Sequence, residues 1–170
     1  MTRRQWLGLL SSLGISTVAT RAAQAATADT KTAKAPGPRV EPLVLTDAQW
    51  RERLTPAQYQ VLRQEGTERA GTSPLNAEKR KGTFHCAGCD LALFSSSTKY
   101  ESGTGWPSFF DHLPGALQNK RDFLLVLPRT EYHCARCGGH HGHVFDDGPK
   151  PTGLRYCNNG VALKFVPEVA

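Results

Sequence analysis

The stretch HCARCGGHHGHVF, residues 133–145, carries two of the five cysteines of this 170-residue chain, Cys134 and Cys137. They follow the spacing C-x-x-C, and Cys86 and Cys89 repeat it further upstream. A C-x-x-C turn can direct both sulfurs toward one point, and two such turns complete a tetrahedral thiolate site for Zn²⁺. The sequence therefore predicts one structural zinc ion that joins two knuckles far apart along the chain.

Two other states of these four cysteines compete with zinc. An oxidising compartment would favour two disulfides. A C-x-x-C pair can also be redox-active, but it then normally lies at the start of a helix in an α/β pattern, which this sequence lacks. We favour zinc because a duplicated spacing suits one tetrahedral site better than cross-bridging.

Short β-like segments surround the knuckles, separated by Gly, Pro, Asn and Asp. They span residues 82–85, 92–94, 122–127, 143–145, 154–157 and 161–166. This pattern predicts a mainly β, α+β fold with antiparallel strands in two small packed sheets. Strands this short need an extra constraint, and a metal that closes a long loop supplies it. We expect Gly88, Gly138 and Gly139 to give the knuckle turns their backbone freedom.

Two short helices are predicted ahead of the β region. Thr46 and Thr55 each begin a capping box, with a glutamine three residues later. Pro56 occupies the first helical position of the second box, where a missing N–H costs nothing. The predicted helices span residues 47–53 and 56–64.

The first 25 residues have the three parts of an export signal peptide. Arg3 and Arg4 form a charged start, residues 6–18 are mostly apolar, and Ala-Gln-Ala at 23–25 is a cleavage site. The paired arginines favour a twin-arginine signal over an ordinary one, and the apolar run is too short for a membrane anchor. We expect a periplasmic protein that binds its zinc before export, because the twin-arginine route moves folded proteins.

The rest of the chain divides into a spacer and one domain. Residues 26–42 are rich in Ala, Thr, Lys and Pro and predict a flexible spacer before a domain at 43–170. Loss of the signal peptide would remove three arginines and lower the net charge from +6 to +3. With no basic stripe interleaved with aromatic residues, we expect no nucleic-acid partner. We also expect a monomer.

The fifth cysteine, Cys157, lies in GLRYCNNGVALKF, residues 153–165. If the predicted strand continues past it, Arg155, Cys157 and Asn159 share one face. A nearby arginine favours the nucleophilic thiolate, and Asn159 could hold a substrate or a water. The alternative is a buried, inert cysteine beside a hairpin turn at Asn159-Gly160.

Two further segments favour chemistry at Cys157. His140, His141 and His143 follow the second knuckle and could be metal ligands, general acids or loop residues; four sulfurs already complete the metal site, so an acid–base role fits better. Gly-x-Gly before Trp106, in SGTGWPSF, predicts a loop that displays the indole. The alternative is a tryptophan that fills the core.

Together these segments resemble the methionine-R-sulfoxide reductases of the B type. The match runs from about Trp50 to Phe165 and includes LTPAQYQVLRQEGTE, CAGC, SGTGWPSF, HCARCGGHHGHVFDDGP and GLRYCNNGVALKF in that family's order. The resemblance implies that Cys157 attacks the sulfoxide sulfur of oxidised methionine and becomes a sulfenic acid. It also implies roles for the surrounding residues: His143 and His140 as active-site histidines, Arg155 on the thiolate, Trp106 on the substrate methyl group, Asn159 beside the nucleophile, and Cys86, Cys89, Cys134 and Cys137 on zinc.

One departure from the family concerns the return of Cys157 to its reduced state. Many members carry a resolving cysteine in the SGxGWPSF loop, and Thr104 occupies that position here. We therefore expect an external, thioredoxin-like periplasmic reductant. Two rival functions stay open: a non-catalytic, zinc-stabilised periplasmic binding module, and a thiol peroxidase.

Overall fold

Both predicted helices form, with the predicted bounds, as α1 (Asp47–Arg53) and α2 (Pro56–Gln64) in a computed structural model that describes residues 39–122 and 129–169. Each N-cap threonine accepts a hydrogen bond from a backbone N–H three residues on, and the glutamine there accepts one in return. Trp50 on α1 and Leu62 on α2 are buried. Neither helix, nor any other in these ranges, is long and apolar enough to cross a membrane.

The described residues form nine strands in two antiparallel sheets, as predicted. They are β1 (Gly82–Cys86), β2 (Ala92–Ser95), β3 (Lys99–Tyr100), β4 (Ser108–Phe109), β5 (Leu117–Asp122), β6 (Arg129–Cys134), β7 (His140–Phe145), β8 (Arg155–Asn158) and β9 (Leu163–Pro167). The small sheet has the order β2-β1-β9, and the large sheet has the order β3-β4-β8-β7-β6-β5. All the described residues belong to one compact unit.

Several predicted strand bounds were wrong. Strands β3, β4 and β6 were not predicted, β7 begins three residues earlier than expected, and β8 lies one residue later. The segment 122–127 falls almost wholly outside the described residues, and β5 ends where it was expected to begin. A 3₁₀ turn at Gly160–Ala162 delays β9 to Leu163, because the Glu68 carboxylate accepts the N–H groups of Gly160 and Val161.

Aromatic side chains pack the two sheets against each other. Phe84 and Phe94 of the small sheet meet Phe109 of the large sheet at ring-centroid distances of 4.9 and 4.2 Å. Tyr132 and Tyr156 extend this layer across the large sheet, with their centroids 5.5 Å apart. Each such side chain stabilises the fold by about 1.5–3 kcal/mol when fully buried. The aromatic core therefore occupies one face of the large sheet and leaves the other face for polar residues.

The export signal predicted at residues 1–25 lies outside the described residues, as does most of the predicted spacer.

Candidate active site

The four knuckle cysteines come together in a buried cluster. The Sγ atoms of Cys86 and Cys137 are 3.7 Å apart, those of Cys89 and Cys134 are 3.4 Å apart, and all four lie within 4.8 Å of one another. A tetrahedral zinc site with Zn–S bonds of about 2.3 Å requires sulfurs roughly 3.8 Å apart. Both of these sulfur pairs are well beyond the roughly 2 Å of a disulfide, and all four thiols are free. The donor set therefore fits one zinc ion and not two disulfides.

The cluster joins the two sheets. Cys86 ends β1 of the small sheet and Cys134 ends β6 of the large sheet. Helix side chains support the turns, since Arg53 Nε donates to the Gly88 carbonyl at 2.6 Å and Arg63 donates to the Cys137 carbonyl at 3.0 Å.

The knuckle turns use left-handed residues, though not all where expected. Gly138 follows the second knuckle with φ 65°. At the matching position of the first knuckle, Asp90 has φ 64°. Gly88 is not left-handed and packs near Leu62, so its expected role as the flexible residue was wrong.

A row of polar residues crosses the large sheet on the face opposite the aromatic core. Cross-strand pairs place Ser108 beside Cys157, and Cys157 beside His143. His143 in turn pairs with Glu131, which pairs with Lys120 on β5. Because directly paired residues extend their side chains to one face of a sheet, a thiol, an imidazole and a carboxylate lie side by side here.

His140 reaches this same face through a β-bulge. Between two neighbouring pairs, β7 advances two residues, from Gly142 to His140, while β6 advances one. In a regular strand residues 140 and 143 would face opposite sides; the extra residue, His141, corrects the alternation. The rings of His140 and His143 are 5.6 Å apart, and His140 Nδ1 bonds the Glu131 carboxylate. The bulge therefore brings both predicted active-site histidines to the cysteine face.

Burial sets the protonation of the two inner histidines. Burial lowers the pKa of His140, which is 2% exposed, while the Glu131 carboxylate opposes that shift. His141 points into the aromatic core, where its ring stacks on Tyr132 at 6.5 Å. Burial lowers the pKa of His141 to about 3. His141 is therefore a neutral core residue, and the third histidine of the motif stays outside the polar row.

Cys157 is half-buried, and two neighbouring side chains affect its ionisation. The Arg155 guanidinium and the Thr104 hydroxyl both lower the pKa of the Cys157 thiol and so favour the thiolate. Burial outweighs them, however, and raises the pKa of the Cys157 thiol above its ordinary value. Arg155 acts in the expected direction but does not dominate, because its guanidinium also binds Asp147 through two bonds of 2.7 and 2.8 Å.

Asn159 does not share the strand of Cys157, because β8 ends at Asn158. Its Oδ1 accepts the backbone N–H of Glu68 at 2.9 Å, and its Nδ2 donates to the His141 carbonyl at 2.9 Å. The amide is therefore engaged with backbone groups on both sides. The alternative of a hairpin turn after Cys157 was also wrong, since β8 and β9 belong to different sheets.

Trp106 lies in the loop between β3 and β4, half-buried. Its Nε1 donates to the Glu68 carbonyl at 3.1 Å, which ties the indole to the segment that also binds Asn159. Gly105 has φ 90°, and a side chain there would lie 2.9 Å from the backbone nitrogen of Gly71. The glycine before the tryptophan thus serves a close backbone approach.

Several site residues escaped the sequence interpretation. Glu131 lies on a strand that was not predicted, Ser108 lies on a two-residue strand, and Asp147 was quoted only within its motif. Had β6 been recognised, the alternation of its side chains would have placed Glu131 on the same face as its β7 partner, His143.

Comparison with known proteins gives a consistent result. The SelR domain family matches residues 54–167. The chain is 54% identical over 123 residues to "Peptide methionine sulfoxide reductase MsrB" of Agrobacterium fabrum, covering 72% of this chain and 91% of that one. It is 53% identical over 124 residues to the protein of the same name from Leptospira interrogans, covering 72% and 95%.

A plant protein matches over a similar length of the chain. "Peptide methionine sulfoxide reductase B1, chloroplastic" of Oryza sativa is 53% identical over 121 residues, covering 71% of this chain and 56% of that one. The SelR match spans both cysteine knuckles, the polar row and the loop that carries Trp106. The resemblance inferred from the sequence motifs is thereby confirmed, and the chain belongs to the SelR, or MsrB, family.

Proposed function

We propose that this chain is an oxidoreductase that reduces methionine-R-sulfoxide in oxidised proteins or peptides, with Cys157 as the nucleophile. Membership of the MsrB family supports the activity. One observation carries the residue assignment: Cys157 is the only cysteine outside the zinc-type cluster, and it lies between His143 and Ser108 on the polar face.

The proposed reaction transfers one oxygen atom. The Cys157 sulfur attacks the sulfoxide sulfur and forms a transient S–S bond; the S–O bond of the substrate then breaks as the oxygen passes to Cys157, and the S–S bond breaks to release the thioether. The thiol and the sulfoxide thus become a sulfenic acid and a thioether, and the proton that the thiol loses is balanced by the one that the acid delivers to the transferred oxygen. Methionine sulfoxide is reduced to methionine by two electrons, and Cys157 is oxidised by two.

The histidines supply the proton that the sulfoxide oxygen needs as its bond to sulfur weakens. His143 is the direct cross-strand neighbour of Cys157, so we assign it the acid role. His140 packs against the His143 ring, and the buried Glu131 carboxylate holds His140 in place. Arg155 stabilises the thiolate that attacks.

Trp106 and Asn159 complete the proposed site in different ways. Trp106 receives the substrate methyl group on its half-buried indole face. Asn159 is a positioning residue, because its amide fixes Glu68, and Glu68 fixes the indole.

An external thiol reductant regenerates the enzyme. The sulfenic acid reacts with two thiols to give the Cys157 thiol, a disulfide of the reductant and water. Thr104 occupies the position of the family's resolving cysteine, and the other four cysteines form the buried cluster, so no second cysteine of this chain is available to act. A thioredoxin-like periplasmic protein fits this role if the twin-arginine signal directs export. Single turnover without reductant should leave no intramolecular disulfide.

Zinc, when bound by Cys86, Cys89, Cys134 and Cys137, supplies structure and not chemistry. The cluster lies at the ends of β1 and β6, and Cys157 lies on β8. The four thiolates would also be protected from oxidation by the metal.

The Cys157→Ser variant tests the assignment. We expect it to keep its circular dichroism spectrum and its zinc content, and to lose reduction of a methionine-R-sulfoxide peptide by at least about a thousandfold, since a hydroxyl is a far weaker nucleophile near neutral pH. Retained sulfoxide reduction would overturn the assignment. Consumption of peroxide without sulfoxide turnover in the wild type would favour the thiol peroxidase, and ligand binding with neither activity would favour the binding module.

A further inference from the structure

Four side chains of the kinds that bind metals form a compact group beside Cys157 on the polar face. Cross-strand pairing places two of them on β6 and two on β7, as the pairs Glu131–His143 and His133–His140. The centroid of the His140 ring lies 5.9 Å from that of His133 and 5.6 Å from that of His143. One carboxylate and three imidazoles therefore cover a two-by-two area of the large sheet, which we call the imidazole patch.

Three members of the imidazole patch have the spacing of a metal site. Glu131 Oε1 lies 3.0 Å from His133 Nε2 and also contacts His140 Nδ1. One ligand atom from each of these three residues lies within 4.8 Å of the other two. Metal–ligand bonds of about 2.0–2.2 Å require nitrogen and oxygen ligands roughly 3–3.5 Å apart. Small rotations of the side chains would therefore complete a site, and imidazole donors select a transition metal over Ca²⁺ or Mg²⁺.

Burial leaves this group short of partners. The Glu131 side chain is 4% exposed, and His140 is buried as well. His140 Nε2 has no hydrogen-bond partner among the residues that the structure describes. A buried polar atom without a partner marks a position for an ion or an ordered water. A buried carboxylate is stabilised by an opposite charge in contact with it, and a cation held between the rings would supply that charge.

Lys120 approaches the carboxylate from the other side. Its Nζ lies 3.8 Å from Glu131 Oε2 and 3.2 Å from Glu65 Oε1, and its side chain is exposed. Both histidine contacts are made by Glu131 Oε1 instead. The lysine therefore leaves the oxygen that faces the rings accessible to an ion.

We propose that Glu131, His133 and His140 bind a divalent transition-metal ion such as Zn²⁺ or Ni²⁺, and that the bound ion inhibits the enzyme. This site is separate from the four-cysteine cluster. A ring nitrogen that binds a metal cannot carry a proton, so the ion and the proposed proton transfer compete for His140. The inhibition rests on the proposed function, whereas the binding does not. His133 takes no part in the proposed reaction, so the two effects can be separated at this residue.

The test is a calorimetric titration of the untagged, full-length protein, already loaded with zinc, with Ni²⁺. We expect one Ni²⁺ per chain, no release of zinc by elemental analysis, and sulfoxide reduction that falls as the site fills. His133→Gln removes one ligand and should raise the Kd for Ni²⁺ at least about tenfold, since even the loss of an outer-shell partner costs that much. It should keep its activity without Ni²⁺ and lose the inhibition in proportion.

Two further variants are the controls. His85 also lies near a carboxylate, that of Asp90, but on the small sheet, so His85→Gln should leave the Kd for Ni²⁺ unchanged. Cys157→Ser should still bind Ni²⁺, because the proposed site does not use the thiol. Sulfoxide reduction that survives Cys157→Ser would refute the proposed nucleophile and leave the metal site standing.

Several results would overturn the inference. Zinc released in step with Ni²⁺ uptake would place the ion in the cysteine cluster, and loss of binding in Cys157→Ser would place it on the thiol. Equal Kd values for the wild type and a folded His133→Gln protein would also refute the site. If that variant does not fold, Ni²⁺ should broaden the NMR ring signals of His133 and His140 in the wild type before those of His85, and the opposite order would refute it. Binding without inhibition would refute the inhibitory role alone.

Discussion

The protonation of single side chains in this protein follows from where the backbone puts them. His141 and His143 are two residues apart, yet one is a neutral core residue and the other belongs to the polar row. Two effects on histidine pKa values can each be measured at a single residue: the desolvation of His141 and the carboxylate contact of His140.

The His141→Phe variant should change the acid stability of the protein. In the unfolded chain His141 takes up a proton near pH 6.5, whereas burial keeps it neutral in the folded state down to about pH 3. Stability is therefore lost as pH falls from 6.5 toward 3, at about 1.4 kcal/mol per pH unit. Urea unfolding of both proteins between pH 6 and pH 5 should show a flatter dependence for the variant. Parallel curves would contradict the assignment, and any effect of zinc release is common to both proteins.

Removal of the Glu131 charge should lower the pKa of His140 further. The carboxylate raises the pKa of His140 against the effect of burial. Since an opposite charge in contact favours the charged form, Glu131→Gln should move the His140 titration to lower pH. The measurement is an NMR titration of the ring nitrogens. Glu101→Gln is the matched control, because the exposed Glu101 carboxylate pairs with Lys99. It should leave the pKa of His140 unchanged.

At the scale of elements, the close approach of β7 and β8 places the proposed acid, His143, beside the proposed nucleophile, Cys157. Gly142 pairs with Asn158, and a Cβ at Gly142 would overlap the carbonyl oxygen of Cys157. Only glycine lets these two strands approach this closely next to the bulge.

The Gly142→Ala variant should therefore destabilise the protein and slow sulfoxide reduction. Overpacking at a backbone contact costs about 1–3 kcal/mol or more, and separation of the strands would move His143 away from Cys157. The melting temperature and kcat/KM report the two effects. Gly88→Ala is the control, because its added carbon would be 3.4 Å from Leu62, an ordinary contact. Equal melting temperatures for the two variants would refute this account.

At the scale of the whole molecule, the cysteine cluster joins two sheets that also pack against each other through an aromatic layer. Cys86 and Cys134 stand at the ends of strands in different sheets, 48 residues apart along the chain. A metal at this point couples its own affinity to the folding of both sheets.

Loss of one zinc ligand should unfold much of the protein. Cys134→Ser removes one thiolate, and structural zinc sites contribute about 10–16 kcal/mol of apparent binding free energy, as much as the stability of a whole domain. We expect zinc content near zero and a large fall in the melting temperature, with the same effect in the wild type after a strong chelator. Cys157→Ser should keep both quantities. If the wild type lost its metal without a change in melting temperature, the zinc assignment would be wrong.

The sequence by itself determined the features that depend on a few neighbouring residues. Both helices were predicted to the residue because a capping box acts over three positions. The C-x-x-C spacing identified the four-cysteine cluster, since each turn fixes its own pair of sulfurs, and the ordered motifs identified the family. These features need no knowledge of distant partners.

Only the tertiary structure decided the geometry of the active face. The bulge at His141 and the row from Ser108 to Glu131 depend on pairings between strands far apart in sequence. Strand β8 ends one residue after Cys157, because Glu68, about 90 residues upstream, binds the backbone of the turn that follows. Burial of Cys157 likewise overrides the local effect of Arg155, because desolvation is a property of everything packed around the sulfur.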